Sequence, residues 1–247
     1  MSLMIHTLCR EGIVVVSDTR TTIRNADGSV RYDDTAEKIV PFPNNIVVSH
    51  CGDATVKKDL TVIQFLYNLR RRVGNKVTIS DLPLEILMQY VKLQGTGDTT
   101  FLISGQDKLF CFCQTYKVKP KNKTVSLVHD SHDCGASYDG VPSIAHAIMN
   151  SGINYSSLSI AEAIDLTKLC LDTNLGVFKY KKEPVVGGRC QIYVIDTLHN
   201  QIGWFDSEGC IVEDINAPSD GLERYEEQRR QRMLKQLEKN IQRKKKG

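Results

Sequence analysis

Ser2 follows the initiator methionine, and serine is small enough for Met1 to be removed during maturation. Removal would leave a hydroxyl and a free α-amino group on one residue. That amine has an ordinary pKa of about 7.7–8.0, so near neutral pH it can accept a proton. An alcohol with a base on the same residue is one solution to activating a weak nucleophile. Other candidates for chemistry carry less. Cys9 and Cys51 have no base placed beside them by the sequence, the six histidines are scattered, and no phosphate loop, haem site or metal-ligand cluster is visible. No CxxC pair exists among the eight cysteines, which argues against a zinc ribbon or thioredoxin-type motif. Most of them sit in apolar stretches such as Leu109–Cys113, where a free thiol behaves as a small hydrophobe.

A chain of 247 residues with 41% hydrophobic and 25% charged residues can bury a sizeable core. No apolar run approaches the ~18 residues needed to cross a bilayer as a helix, so no membrane partner is expected. The start lacks the basic and apolar regions of a secretion signal, and a reduced, cytoplasmic protein is expected. From Glu223 to Gly247 ten Lys/Arg face four Glu, a net +6; the overall +3 therefore leaves −3 on the rest. No stacking aromatics interleave this basic tail and no nucleic-acid motif precedes it, so nucleic acid is disfavoured as a partner. A protruding helix, with Tyr225, Met233, Leu237 and Ile241 on one stripe, is expected there.

The positioning elements follow from hydrophobic period. Leu3–Arg10 and the Val/Ile run Gly12–Ser17 read as strands of a sheet covered on one face. Asn25–Gly28 is a turn signal between Thr21–Arg24 and Ser29–Tyr32, and Lys38–Phe42 with Asn45–Ser49 reads as another strand pair. Helical spacing of Val56, Leu60, Ile63, Leu66 and Tyr67 predicts a helix from Val56 to Arg72, and a second is expected from Asp81, as cap, to Leu93. Strands over Thr99–Ser104, Leu109–Tyr116 and Thr124–His129 follow, then helices over Pro142–Asn150 and Ser159–Thr173. The second of those opens with a Ser159/Glu162 capping box. Strands Arg189–Asp196, Gly203–Asp206 and Cys210–Val212 close the body. Helices come in pairs between blocks of strands, which fits two face-to-face antiparallel sheets with a helix pair on each outer side better than a βαβ alternation.

Gly12-Ile-Val-Val-Val-Ser-Asp-Thr-Arg20 resembles the G-x-hydrophobic-A-A-D-S/T-R stretch of proteasome β subunits and their bacterial relatives. There the Asp follows the N-terminal nucleophile by sixteen residues, and Asp18 follows Ser2 by the same interval. Ala36-Glu-Lys-Ile39 is similar to the family's x-x-K-hydrophobic segment, and Cys51-Gly-Asp-Ala54 to its S/A-G-x-x-A-D turn. Asp133–Gly140 looks like the G-S-G-x-x-A-x-G loop, and Gly187-Gly188 like the glycine pair before a late strand.

The resemblance spans roughly residues 2–212 and implies an α+β fold, the four-layer αββα sandwich of N-terminal-nucleophile hydrolases. The expected domain covers 1–218, with a charged helical extension over 219–247. It implies Ser2 as nucleophile, Lys38 beside its hydroxyl and Asp18 holding Lys38. The Gly52 N–H would be the oxyanion donor, and Ser137 a hydrogen-bond partner of the terminal amine. The supporting acid is either Asp172 or Glu183, since the family places an acid a few residues before the glycine pair. His50 falls where the family lines its side-chain pocket, although a buried strand histidine is commonly a core residue. The link Thr21–Thr35 is longer than the family's. The implied activity is a peptidase or amidohydrolase acting on a peptide or protein, needing no cofactor or metal, in a homo-oligomer that is a ring or ring-like. A non-catalytic subunit or interaction protein of the same fold is the alternative.

Overall fold

Leu3–Cys9 and Gly12–Asp18 form an antiparallel hairpin, β1 and β2, in which every residue is buried. This computed structural model describes residues 2–24, 27–107, 112–130, 132–141, 143–181, 184–198, 201–205 and 210–211. The chain divides into two units, Met1–Ile215 and Asn216–Gly247. The second unit, and with it the expected basic helix, lies outside the described residues, as do Glu183 and Cys111.

In the first unit β3 (Thr21–Arg24) pairs with β4 (Val30–Asp33) across the anticipated turn. β5 (Ile39–Phe42) and β6 (Ile46–Gly52) lead to a small hairpin, β7 (Thr55–Lys57) with β8 (Leu60–Thr61). Helices α1 (Val62–Val73) and α2 (Leu82–Lys92) precede β9 (Thr99–Asp107), β10 (Phe112–Lys119), β11 (Thr124–Asp130) and β12 (Gly135–Gly140). Helices α3 (Ser143–Met149) and α4 (Ile160–Phe178) then lead to β13 (Cys190–Asp196), β14 (Gln201–Phe205) and β15 (Cys210–Ile211). One sheet has the order β12-β1-β2-β13-β14-β15 and the other β11-β10-β9-β6-β5, with antiparallel pairing throughout.

The β1–β2 hairpin is covered on both faces, not one as its sequence suggested. Leu3, Ile5, Val14 and Val16 pack with Ala145 and Met149 of α3 and Ala163, Cys170 and Leu171 of α4. Leu8, Ile13 and Val15 pack on the opposite side with Ile39 and Val47 of the five-stranded sheet. A strand buried on both faces has no polar side to show, so the Val run cannot alternate. Among the described residues no helix is long and apolar enough to cross a membrane, and Cys9, Cys51, Cys113, Cys134, Cys170 and Cys190 are free thiols.

Several details differ from the sequence reading. α1 starts at Val62, not Val56. The Thr61 hydroxyl accepts the Gln64 N–H while the Gln64 side chain accepts the Thr61 N–H, a capping box that starts the helix there. Asp81 does not cap α2, because its backbone is already helical and its carboxylate accepts the Thr78 hydroxyl instead. α4 opens on the anticipated Ser159 box but continues to Phe178, whose ring is buried against the six-stranded sheet. β12, anticipated as a loop, is an edge strand on β1 whose Ala136 and Tyr138, following Cys134 just before the strand, alternate onto the apolar cluster.

Candidate functional site

Three segments meet at the start of β1. Ser2 precedes that strand, Asp18 ends β2, and Lys38 stands one residue before β5; all three are buried. Lys38 is gripped through its backbone from both sides. Its N–H donates to Gln191 Oε1 of β13 at 3.1 Å, and its carbonyl accepts the His50 N–H of β6 at 3.1 Å. Its ammonium donates three hydrogen bonds: to Ser2 Oγ at 2.7 Å, Asp18 Oδ1 at 2.8 Å and the Arg20 carbonyl at 2.6 Å. An ammonium has three donors and no acceptor, so this set of partners matches its charged form. Burial pushes the Lys38 pKa below its usual value, and the Asp18 carboxylate opposes that shift.

Asp18 is itself held at both oxygens. Oδ1 accepts the Leu3 N–H at 3.0 Å beside Lys38, and Oδ2 accepts the N–H groups of Arg20 at 3.3 Å and Gly187 at 3.1 Å. The Gly187-Gly188 pair has a steric reason. A Cβ on Gly187 would stand 2.2 Å from Arg20 Cζ, and one on Gly188, at φ +80°, would stand 2.2 Å from Thr19 Oγ1. Only glycines let the chain close over Asp18 at this distance. Arg20 is anchored by two bonds to Asp34, 2.6 and 2.7 Å, and by the Pro184 carbonyl at 3.0 Å, which steadies the carbonyl that Lys38 uses. The sequence reading quoted Arg20 within its motif but did not find the Asp34 anchor, the Leu3 amide or the Gly187 amide. Backbone donors leave no residue-type signal.

Gly52 ends β6. Along that strand alternate N–H groups point to alternate sides: His50 N–H goes toward Lys38, whereas Asp53 N–H goes to Asp98 O beside β9. Gly52 N–H therefore points to the Lys38 side, beyond the first paired residue of β5, Ile39. Ser137 lies on β12 opposite His6 of β1; it is buried, and its hydroxyl takes no hydrogen bond within the described residues. Asp172 is not brought to this cluster. It lies on the exposed side of α4, where its carboxylate takes Lys168 Nζ at 2.9 Å, so the assignment of Asp172 as supporting acid is corrected. The helix continues five residues past the point where the sequence reading ended it, which carries the chain on before it turns toward the glycine pair.

His50 is buried, and burial lowers its pKa to about 3, as it does for His6. Both imidazoles are neutral in the folded chain, whereas the unfolded chain protonates them near pH 6.5. The unfolded state binds the extra protons, so stability is full above pH 6.5 and falls as pH drops toward 3. Each histidine is expected to add a slope approaching about 1.4 kcal/mol per pH unit in that window. Urea unfolding between pH 7 and 4 measures it, and a pH-independent midpoint would contradict the burial of both rings.

A solved structure of the Anbu Gly-1 mutant from Hyphomicrobium sp. strain MC1 is similar to this chain. The TM-score is 0.62 and the identity 15%, with 96% of each chain covered. The likeness shows a proteasome-like fold. No family model matches the chain, and neither does any curated protein.

Proposed function

We propose that the chain is a proteasome-like N-terminal-nucleophile peptidase or amidohydrolase in a four-layer αββα sandwich, with Ser2 as nucleophile once Met1 is removed. The observation that carries this reading is the buried run Ser2 Oγ–Lys38 Nζ–Asp18 Oδ1, at 2.7 and 2.8 Å. A cation directly on a hydroxyl oxygen stabilises the alkoxide, and a carboxylate with four donors keeps that cation in place. The Ser2 amine takes the hydroxyl proton while Oγ attacks the amide carbon. The oxyanion that forms is met by the Gly52 N–H, and the amine returns the proton to the leaving nitrogen as the C–N bond breaks. The resulting ester is cleaved by water activated by the same amine. Ser137 stands opposite His6, four residues along β1 from Ser2, roughly 13 Å at strand rise and too far to hold that amine, so it is not retained in this role.

Assembly into a homo-oligomer belongs to the same proposal. Leu84, Met88 and Val91 of α2 and Leu169 and Val177 of α4 are large apolar side chains left exposed on the chain alone. The test is to incubate the purified protein with a peptidyl β-lactone and map the adduct by mass spectrometry. The expected species lacks Met1 and carries the acyl group on Ser2. Retained Met1, or an adduct at any other residue, overturns the reading.

A further inference from the structure

His6 takes no part in the chemistry above, yet it sits in the gap between the sheets with 1% of its surface exposed. Its Nδ1 lies 2.6 Å from Ser104 Oγ of β9, and its Nε2 lies 2.6 Å from Ser49 Oγ of β6. Ser104 Oγ is 2.7 Å from Thr115 Oγ1 of β10, and Ser49 Oγ donates to Met4 Sδ of β1 at 3.1 Å. One arrangement of protons satisfies every group. Thr115 donates to Ser104, Ser104 to His6 Nδ1, His6 Nε2–H to Ser49, and Ser49 to Met4. Because Ser49 spends its proton on the sulfur, it must accept from Nε2, and this assigns the Nε2–H tautomer.

The relay lies between the two halves of the candidate site. Ser2 immediately precedes β1 of the six-stranded sheet and Gly52 ends β6 of the five-stranded one, so no backbone ladder sets the distance between nucleophile and oxyanion donor. Much of the gap is filled by apolar contacts such as Leu8 and Val15 on Ile39 and Val47, which are non-directional and tolerate small slides. His6 is four residues along β1 from Ser2, and Ser49 three along β6 from Gly52, roughly 13 and 10 Å at strand rise. We propose that His6 is a positioning residue: its relay through Ser49 and Ser104 fixes the spacing of β1 and β6, and with it the distance from Ser2 Oγ to the Gly52 N–H. The inference rests on the proposed nucleophile and deepens it. His6 touches neither substrate nor the reacting atoms.

The test reads kinact and KI for a peptidyl β-lactone on wild type, His6→Phe and His6→Gln, at a temperature where each is folded by circular dichroism. Phenylalanine fills the site without polar atoms, so kinact is expected to fall about tenfold or more with KI changed less than threefold. Glutamine can donate to Ser49 and accept from Ser104, and is expected to recover most of kinact. A core residue without a positioning role would lower the melting temperature and leave kinact alone. A folded His6→Phe with wild-type kinact overturns the proposal. If His6→Phe does not fold, Ser49→Ala, which removes only the acceptor of Nε2–H, carries the same expectation and the same disproof. A wild type that is never labelled overturns the nucleophile itself, and the positioning role falls with it. Long-range 1H–15N NMR of the imidazole separates the two: an Nδ1–H tautomer overturns the relay while the nucleophile reading stands.

Discussion

Lys38→Met is expected to abolish most Ser2 labelling and to destabilise the fold together. Methionine keeps the stem, so the change removes the ammonium with little loss of volume. Without it the alkoxide loses its adjacent cation, and the labelling rate is expected to fall about 10²–10⁴-fold. Asp18, with no exposed side-chain surface, is then a buried carboxylate without a counter-charge. Breaking a buried pair from one side costs about 3–5 kcal/mol. The amides of Leu3, Arg20 and Gly187 still reach Asp18 and place the expected loss at the lower end. Lys38→Arg is not expected to rescue, because a planar guanidinium cannot place single donors on three convergent oxygens. Ser2→Ala should separate the effects: labelling is lost while the Lys38–Asp18 pair and the urea midpoint are nearly kept. Lys38→Met with wild-type labelling would remove Lys38 from the chemistry.

How much of this was legible in the sequence depended on whether a residue type carries the signal. The two blocks of strands, the helix pairs, the Ser159 cap and the turn between Thr21–Arg24 and Val30–Asp33 follow from period and turn chemistry, which are local. Ser2, Asp18 and Lys38 were named through the resemblance, Asp18 by its interval from Ser2 and Lys38 by its flanking segment, and the structure places Lys38 Nζ 2.7 Å from Ser2 Oγ and 2.8 Å from Asp18 Oδ1. Asp172 was misplaced because a helix end had to be guessed: Asn174–Val177 contains a glycine but no proline, and buried Phe178 draws the helix onward. The start of α1 was misplaced for a related reason. Val56 and Leu60 match a helical period, but the Thr61–Gln64 reciprocal bonds decide where the helix begins. The His6 relay is tertiary in origin, since Ser49, Ser104 and Thr115 come from three strands and none is marked by its neighbours.

Gly140→Ala should strike the nucleophile without touching any polar group of the site. Gly140 ends β12 opposite Leu3, at φ +106°, and a Cβ there would stand 1.7 Å from the Ser2 carbonyl oxygen and 2.7 Å from its carbon. Both are backbone atoms, so no rotamer can yield; either β12 retreats or the residue before β1 moves. Strand retreat is resisted from the neighbouring position, where Asp139 binds Lys117 of β10 across the gap at 2.5 Å. Displacing Ser2 by about 1 Å is enough to cost around 10²-fold in labelling, because attack and oxyanion donation both depend on its position. The dihedral alone costs about 1–3 kcal/mol for a residue with a side chain. Gly28→Ala isolates that second contribution: Gly28 has φ +80° in the turn between β3 and β4, with nothing within 4 Å of an added Cβ. It is expected to lose a little stability and no reactivity. If Gly140→Ala labels as fast as Gly28→Ala, β12 does not set the place of Ser2, and the rigid seat inferred for the nucleophile is wrong.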